Sequence, residues 1–573
     1  MRAISIISAI FLSATLFGAT SVSKKEYLDI VAEAVVAYDD AHLLRYTEET
    51  DKNGVQEHGF PRLTSNLGIL IAEGRIPEKR ALFKRMMSIC CRDMKRKSVG
   101  LEGNEFSVKE LVAAILAVEE AGIFPKDVTD AWRREIAAVD PYISYREKPE
   151  VGDKNRSYNW CVFGCASEQM RLAAGMGGDR SFVEKYVPDQ MRWFDASGMW
   201  LEPHEPIVYD LVTRLQFALI LSSGYAGPGR AELEAHLDKG AEATLKMLSA
   251  AGEIPYGGRS NQFLHNETLY AALCEWYAAR FRARGDLRMA ARFRMAARRA
   301  VDALWRNLSV KPVRHVKNRY PRGEGKRGSG IGCERYAYFD KYMVTMGSWA
   351  ALAARFADET PLKQADEPRY GAFVSAKKFH IVCLTAGDYS AQFDYNADLH
   401  YDSDGLGRLH RRGAPTQICM STPCAQNPSY STEMTNSQAL AFVPIAHDPL
   451  SFVDAGSTAD SAWAQWRLGS LDWRCRLTEE GLFSELKGCG ALAMKLPAFQ
   501  FDGEKEAEIT LRGHVLEVSY QGWTCVYETN GRIFDAGQVC CNRNGRYRVF
   551  EARGKDALEV RVTIKKKENI SYE

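Results

Sequence analysis

The spacing of apolar residues changes character once along this chain of 573 residues. From Lys24 to about Asp358, apolar residues recur every three or four positions, which is the pattern of amphipathic helices. From about residue 369 onward, short runs of β-branched and aromatic residues alternate with turn sequences such as Asn530-Gly531, which indicates strands joined by hairpins. The sequence therefore predicts an α+β multidomain protein, with a helical half followed by an antiparallel β half.

The helical half is predicted to form a ring of helix pairs. It contains about twelve helical segments, the first over 27–46, separated by Gly, Pro, Asp or Asn. Antiparallel helices in that number, without a strict sequence repeat, favour an (α/α) toroid over a four-helix bundle. We expect a toroid that forms the catalytic domain over 24–362 and an antiparallel β-sandwich over 363–573.

The first residues have the features of a secretory signal peptide. Arg2 precedes an apolar run from Ile4 to Phe17, and small residues follow before Lys24. The run is shorter than the roughly 20 residues that span a bilayer. We therefore expect a signal peptide over 1–23, cleaved near Ser23, and a secreted or periplasmic protein without membrane insertion.

Composition excludes several functional classes. Hydrophobic residues make up 46% of the chain, which is typical of a globular protein with a large core. Lys and Arg number 75 against 73 Asp and Glu, so no nucleic-acid partner is expected. The 14 cysteines include no C-x-x-C pair, which disfavours a structural zinc site.

The densest polar cluster of the helical half lies over 255–267. Gly257 and Gly258 allow a tight turn, and Asn261 is expected to cap a helix on which it shares a face with His265. A helix start beside Arg259 is suited to holding a carboxylate. The alternative is that Asn261 only caps the helix and His265 is a satisfied core residue.

A second polar cluster, over 202–210, also precedes a predicted helix, with Arg214 one turn further on. Asn159 stands near the start of another helix. In an (α/α) toroid the helix starts gather around a central cleft, so these side chains are expected to meet the 255–267 cluster. Ordinary loop capping is the alternative explanation for Tyr209 and Asp210.

Two further segments are rich in groups that contact sugars or metals. Aromatic residues crowd 336–342, among them Tyr338, and suit either stacking on sugar rings or a domain interface. The segment 394–410 carries several carboxylates and His410, which could reach the cleft or bind a metal. An EF-hand is excluded, because Leu399 and Gly405 occupy positions where that loop needs Gly and Glu.

The motifs over 256–262, 336–342 and 405–410, together with the two-domain pattern, resemble those of heparinase II/III-like and alginate-lyase-like polysaccharide lyases. The resemblance extends over nearly the whole predicted mature chain at the level of architecture. It implies an exported carbohydrate-active enzyme that cleaves an anionic, uronate-containing polysaccharide or oligosaccharide by β-elimination. No cofactor is implied, although a structural divalent metal in the β-sandwich is compatible with it.

The resemblance also implies roles for particular residues. The usual Asn-His pair of the family is not adjacent here, and Asn261 with His265, or His265 with Asn266, is the nearest match. His265 is then the base or the group that neutralises the carboxylate, and Tyr209 is the base or acid. The predicted catalytic residues are His265, Tyr209, Tyr256 and His410, and the predicted substrate-binding residues are Asn159, Arg259, Asn261, Gln262, Asn266, Glu267, Asp210, Arg214 and Tyr338.

Two other functions remain open at this point. A uronidase-like glycoside hydrolase on the same toroid would need two carboxyl groups, about 5–5.5 Å apart for retention or about 6.5–9.5 Å apart for inversion. Asp210 and Glu267, or Asp340, are the candidates for that pair. A non-catalytic glycan-binding protein would use the same aromatic and arginine side chains without turnover.

Overall fold

The computed structural model describes residues 21–97, 103–154, 158–261, 263–317, 338–376, 378–398, 401–418, 442–542 and 544–567. Most of the predicted signal peptide lies outside these residues, as do Gln262 and the first two residues of the aromatic segment at 336–342.

The described part of the first half is helical, with fourteen helices where about twelve were expected. The expected segment 27–46 is two helices, because the side chain of Asp39 accepts a hydrogen bond from the backbone of His42 and so starts a second one. The helices are α1 (Lys24–Val36), α2 (Asp40–Asn53), α3 (Gly59–Ala72), α4 (Arg80–Asp93), α5 (Val108–Glu120), α6 (Lys126–Ala137), α7 (Pro141–Ser144), α8 (Asn159–Ala173), α9 (Arg180–Met191), α10 (Ile207–Ser222), α11 (Arg230–Met247), α12 (His265–Ala283), α13 (Leu287–Leu308) and α14 (Phe339–Phe356).

Six of these helices form a closed inner ring. α3, α5, α8, α10, α12 and α14 each contact the next, and α14 returns to α3. Other helices pack outside the ring, including α4 on α3, α9 on α8, α11 on α10 and α13 on α12. Inner helices are apolar around most of their circumference, as fully enclosed helices must be. The fold of this half is the predicted (α/α) toroid.

The second half is antiparallel β structure in two sheets. Strands β1 to β4 form a four-stranded sheet in sequence order, and the ten-stranded sheet has the order β10-β11-β12-β14-β9-β8-β7-β6, with β13 beside β14 and β5 beside β9. The strands are β1 (Tyr370–Val374), β2 (Ile381–Ala386), β3 (Tyr389–Asp394), β4 (Gly405–Arg411), β5 (Val443–Pro444), β6 (Ser451–Ser457), β7 (Ala462–Leu468), β8 (Leu471–Thr478), β9 (Gly481–Phe501), β10 (Glu508–Arg512), β11 (Val515–Tyr520), β12 (Trp523–Thr529), β13 (Arg532–Asn542) and β14 (Gly545–Lys566).

The four-stranded sheet packs on β6, β7 and β8 of the larger sheet around one apolar core. Phe393 of β3 lies against Trp466 and Trp473 in that core. The predicted antiparallel sandwich is therefore present.

The four-stranded sheet also joins the toroid. A small apolar cluster spans the two halves and consists of Met199, Ile207, Ala243, Met247, Phe379, Ile381 and Cys383. Gln392 on β3 hydrogen-bonds to both backbone polar groups of Tyr256. The loop between α11 and α12 is thus fixed by contacts from the β half.

None of the helices in the described ranges is long and apolar enough to cross a membrane. Of the eleven cysteines within the same ranges, ten are buried, which fits their expected behaviour as small apolar side chains.

Candidate functional site

The first turns of the inner helices meet at one end of the ring, which we call the barrel mouth. The start of α3 approaches α14, where a Cβ added to Gly59 would meet the carbonyl oxygen of Asp340. Asn159 at the start of α8 contacts Glu202 in the loop before α10, and Tyr209 in α10 contacts Ser260 in the loop before α12. Side chains at the starts of α8 and α10 therefore meet the loops before α10 and α12, although these positions are far apart in the sequence.

A carboxyl group is held at this mouth by groups from three segments, which we call the Glu202 cluster. The Glu202 Oε1 accepts hydrogen bonds from Asn159 Nδ2 at 2.8 Å and from Arg259 Nη2 at 3.3 Å. The Arg259 guanidinium lies 4.5 Å from the centre of the Tyr209 ring. An amide and a cation therefore bind one carboxyl group, and the same cation lies against a phenol ring.

Glu202 itself has an unusual environment. Its side chain is buried, and this burial raises its pKa to about 7, although the Arg259 charge and the bonds from Asn159 act in the opposite direction. Its second oxygen, Oε2, is buried without a hydrogen-bond partner among the described residues. Glu202 therefore exchanges a proton near neutral pH in a site built for a carboxylate.

Two loops with strained backbones assemble the Glu202 cluster. Gly258 has φ +69°, and a Cβ there would lie 3.0 Å from Pro206, so the loop passes closely over the start of α10. The Ile207 amide donates to the Gly257 carbonyl at 3.1 Å. His204, Glu205 and Ser260 in the same two loops adopt the left-handed region, which costs L-residues free energy and tends to occur at functional sites.

A second set of polar and aromatic side chains, the His265 cluster, lies at the starts of α3, α12 and α14. His265 stacks on Phe263 at 5.1 Å and on Tyr342 at 5.4 Å between ring centres. Tyr342 meets the edge of His58 at 6.0 Å, and Arg62 Nη1 donates to His58 Nδ1 at 2.6 Å.

Both histidines of this cluster are neutral at neutral pH. Burial, reinforced by the positive charge of Arg62, lowers the pKa of His58 and of His265 well below the usual value. His265 Nδ1 is buried and has no hydrogen-bond partner among the described residues. A neutral imidazole with an unused ring nitrogen is a proton acceptor.

The two clusters are linked through Ser260. Tyr209 Oη and Ser260 Oγ are 3.4 Å apart, and Asn266 Nδ2 donates to the Ser260 carbonyl at 2.9 Å. Asn266 directly follows His265 at the start of α12. Of the predicted site residues, Asn159, Tyr209, Arg259, His265 and Asn266 therefore lie together around the mouth.

Asp210 and Arg214 belong to neither cluster, which corrects the expectation that their side chains meet the 255–267 segment. Both side chains are fully buried and bind each other, with Arg214 Nη2 2.6 Å from Asp210 Oδ2. Asp210 also accepts the Trp200 amide at 2.7 Å, and Arg214 donates to the Gly240 carbonyl at 2.9 Å. All these partners are internal, so the pair stabilises α10.

Glu267 also forms an ion pair in the protein interior. Its carboxylate pairs with Lys317 at 2.8 Å, and both side chains are buried. The carboxylate pair proposed for a hydrolase, Asp210 with Glu267, is therefore neutralised by two internal cations. Asp340, the other candidate, is on α14 with its carboxylate 3.7 Å from His42.

Asn261 does not cap α12, which corrects a second expectation. The helix begins at His265 after Leu264, four residues beyond Asn261, so the two side chains do not share a helix face. Asn261 Nδ2 instead donates to the Gly258 carbonyl at 2.9 Å and to Asp402 Oδ1 at 3.3 Å. Its role is to shape the turn that carries Arg259.

The remaining predicted residues lie at the edges of the site. Tyr256 is buried in the interface with β3, where its hydroxyl donates to the Gln392 carbonyl at 3.3 Å, and burial raises its pKa well above the usual value. His410 Nδ1 lies 3.0 Å from Ser249 Oγ in the same interface. Tyr338 precedes α14 and is 53% exposed.

Glu202, His58 and Arg62 received no role from the sequence. A signal for the last two was present, because they stand one helical turn apart at the start of α3, a helix with no other charged residue. For Glu202 no local signal exists, since its partners are 43 and 57 positions away.

Metal binding was considered for the carboxylates of 394–410. Within the described ranges no group of three or more His, Cys, Asp and Glu side chains is placed to hold a metal ion. Asp402 accepts the Gly258 amide at 2.6 Å, and Asp394 pairs with His380 at 2.6 Å. Asp402 thus helps to fasten the 255–261 loop to the β half, whereas the pair of Asp394 and His380 lies within the β half.

The sequence matches no protein-family model and no curated protein. The structure is similar to a glycosyl hydrolase family 88 protein from Bacteroides vulgatus, with TM-score 0.37, 11% identity and coverage of 59% of this chain and 100% of the other. A polysaccharide lyase is similar with TM-score 0.32, 12% identity and coverage of 58% of this chain and 97% of the other. A GH127 β-L-arabinofuranosidase from Geobacillus stearothermophilus T6 is similar with TM-score 0.34, 11% identity and coverage of 96% of this chain and 81% of the other. At this level of similarity, the activity of the chain has to be argued from its own residues.

Proposed function

We propose that this protein is an exported carbohydrate-active enzyme that cleaves a uronate-containing polysaccharide or oligosaccharide by β-elimination at the barrel mouth. The observation that supports it best is the Glu202 cluster. Arg259 and Asn159 bind a carboxyl group of the chain itself, directly beside the Tyr209 ring. A substrate carboxylate needs the same two partners.

The proposed chemistry uses these groups in order. Removing the proton beside the uronate carboxylate places negative charge on a group that is already anionic, so the site must stabilise that charge. Arg259 and Asn159 bind the substrate carboxylate once Glu202, with its pKa of about 7, has taken a proton and released them. Tyr209 then takes the proton from the sugar carbon and gives a proton to the departing glycosidic oxygen. Such acid–base catalysis raises the rate about 10²–10⁴-fold.

His265 is the second base in this scheme. Its imidazole is neutral because burial lowers its pKa, and it directly precedes Asn266, whose side chain donates to the carbonyl of Ser260, the residue that Tyr209 contacts. If Tyr209 makes both proton transfers, His265 only packs against Phe263 and Tyr342. If the transfers are divided, one residue accepts the carbon-bound proton and the other protonates the leaving oxygen. Comparing Tyr209→Phe with His265→Gln separates these roles.

The test measures absorbance in the ultraviolet while the protein is incubated with a panel of uronate polysaccharides. Elimination leaves a double bond conjugated to the carboxylate, so the absorbance rises. Tyr209→Phe is expected to lower this rate about 10²–10⁴-fold with the fold intact. Tyr142→Phe, at an exposed tyrosine on α7 that belongs to neither cluster, is the matched control and keeps full activity.

A glycoside hydrolase is the second candidate, favoured by one observation. A buried carboxyl with a pKa of about 7, as Glu202 has, is the state that a general acid of a hydrolase requires. Hydrolysis would produce reducing ends without an ultraviolet signal, and Glu202→Gln would abolish it. Under the lyase proposal, Glu202→Gln retains measurable turnover, because the substrate carboxylate displaces the Glu202 side chain and Glu202 takes no part in the reaction.

We also propose export, on the basis of the N-terminal pattern alone. The apolar run between Arg2 and Lys24 is the supporting feature. Sequencing the N-terminus of the protein recovered from a bacterial periplasm or culture medium tests this, with a first residue near Ser23 or Lys24 expected.

A further inference from the structure

A large cavity opens at the end of the ring opposite the barrel mouth. Its volume is about 740 Å³, which is within the range of small-molecule sites. The wall comes from the late turns of the inner helices and from α1, and is mostly apolar, with Leu28, Ile69, Ala113, Leu116, Met170 and Leu352. None of these residues takes part in the Glu202 cluster or the His265 cluster.

The floor of the cavity is polar, and its charged lining consists of Lys109 and Glu110. Lys109 is buried there, pairs with Glu110, and lies 4.9 Å from the centre of the Trp349 ring. Arg62, outside the lining, lies with Nε 3.7 Å from the same Glu110 carboxylate, so that carboxylate is shared by two cations. An anionic group that enters this floor can therefore accept hydrogen bonds from the Lys109 ammonium while Arg62 keeps Glu110 paired.

A buried donor at the floor also lacks an acceptor. Trp349 is 2% exposed, and its indole Nε1 has no hydrogen-bond partner among the described residues. Leaving such a group unsatisfied is unfavourable, because it has lost its water without gaining a protein partner. An oxygen of a bound ligand would satisfy it.

The length of the cavity sets the size of the ligand. Lys109 at the floor and Glu120 at the rim both line it and lie on the same helix, α5. Eleven residues at 1.5 Å rise separate them by about 16 Å, about the length of a twelve-carbon chain. The rim carries three carboxylates, Glu73, Glu119 and Glu120, beside the two cations Lys24 and Arg355. An anionic group is therefore bound less favourably at the rim than at the floor.

We infer that this cavity binds a single-chain fatty carboxylate, with the carboxylate at Lys109 and Trp349 and the alkyl chain along the apolar wall toward the rim. The floor approaches the His265 cluster through Arg62, which also donates to His58, but the inference rests on the lining of the cavity and not on the proposed function.

The test titrates the full-length protein with dodecanoate labelled with ¹³C at the carboxyl carbon, below its micellar concentration, and follows the carboxyl resonance. One bound resonance that saturates at one equivalent is expected. Ala113→Trp fills the cavity and should weaken binding about 10–100-fold. Ala121→Trp, an exposed position just past the end of α5, is the matched control and should bind like the unaltered protein.

Three results would overturn the inference. They are the absence of a bound resonance at millimolar dodecanoate, equal binding by Ala113→Trp, and equal binding of dodecyltrimethylammonium, whose head has the opposite charge. Circular dichroism shows whether Ala113→Trp is folded. If it is not, Lys109→Met answers the same question, because it removes the cation at the floor without filling the cavity.

Discussion

Arg259 is the residue on which carboxylate recognition depends, because its guanidinium contacts both Glu202 and the face of Tyr209. Lysine keeps the charge but lacks the planar fork of donors that stacks on a ring. We expect Arg259→Lys to lower kcat/KM about 10–100-fold, mostly through KM, in the absorbance assay. Arg230→Lys, exposed on α11, should leave the kinetics unchanged, and an unchanged Arg259→Lys would contradict this role.

The protonation of Glu202 should also make the stability of the protein depend on pH. Its pKa is raised from 4.5 to about 7 in the folded protein, so between these values the folded state keeps a proton that the unfolded state has lost. The free energy of unfolding should therefore fall as the pH rises through this range, by about 3 kcal/mol at most. Glu202→Gln lacks this proton and should lack this part of the fall.

Urea denaturation of both proteins at pH 4.5, 6 and 8 measures the difference. Glu105 and Glu275 also have pKa values raised to about 7 by burial, and comparing the two proteins cancels their contribution. A difference in unfolding free energy that stays constant with pH would show that Glu202 titrates alike in both states.

Several of the site residues, but not their arrangement, were predictable from sequence. Arg259, Asn159, Tyr209 and His265 stood out because they belong to polar segments that lie at or just before predicted helix starts. Asp210 met the same criterion and yet is buried against Arg214. The sequence cannot distinguish a polar residue that faces the cleft from one that faces a neighbouring helix, because the difference is a rotation about the helix axis.

Helix α10 depends on the buried ion pair between Asp210 and Arg214. Arg214→Met leaves the Asp210 charge buried without its partner, which costs about 3–5 kcal/mol of unfolding free energy. The double variant Asp210→Asn with Arg214→Met should recover part of that loss, since Asn can still accept the Trp200 amide. Arg288→Met, exposed on α13, is the control for loss of one arginine.

Thermal or urea unfolding measures these variants. Equal stability of Arg214→Met and Arg288→Met would contradict a stabilising role for the pair. A double variant less stable than Arg214→Met would show that the residues act independently.

Helix positions followed closely from apolar spacing, whereas helix ends did not. Asn261 was expected to begin α12 because its side chain is a good cap, but its amide instead donates to Gly258 and Asp402. Contacts from the β half, more than 140 residues away along the sequence, thus decide where α12 begins. Capping preferences depend only on neighbouring residues in the sequence, so they cannot predict the effect of such a distant contact.

The toroid and the sandwich are joined by buried polar contacts. Arg408 on β4 donates to the Ile254 carbonyl at 2.5 Å and lies 5.4 Å from the Tyr256 ring, next to the loop that carries Arg259. We expect the two halves to unfold in one calorimetric transition. Arg408→Met should separate that transition into two or broaden it, and should also reduce kcat, because it loosens the loop.

Two resolved transitions in the unaltered protein would contradict this coupling. Activity of Arg408→Met equal to that of the unaltered protein would show that the Gln392 and Asp402 contacts hold the loop without Arg408.

The central claim concerns the whole molecule, since the barrel mouth is assembled from inner helices of the toroid and fastened by the β half. The most direct test follows ultraviolet absorbance during incubation of the purified protein with uronate polysaccharides, with reducing ends measured in parallel. We predict a rise in absorbance on at least one substrate, lost in Tyr209→Phe. Reducing ends without that rise would contradict elimination and transfer the catalytic role to Glu202.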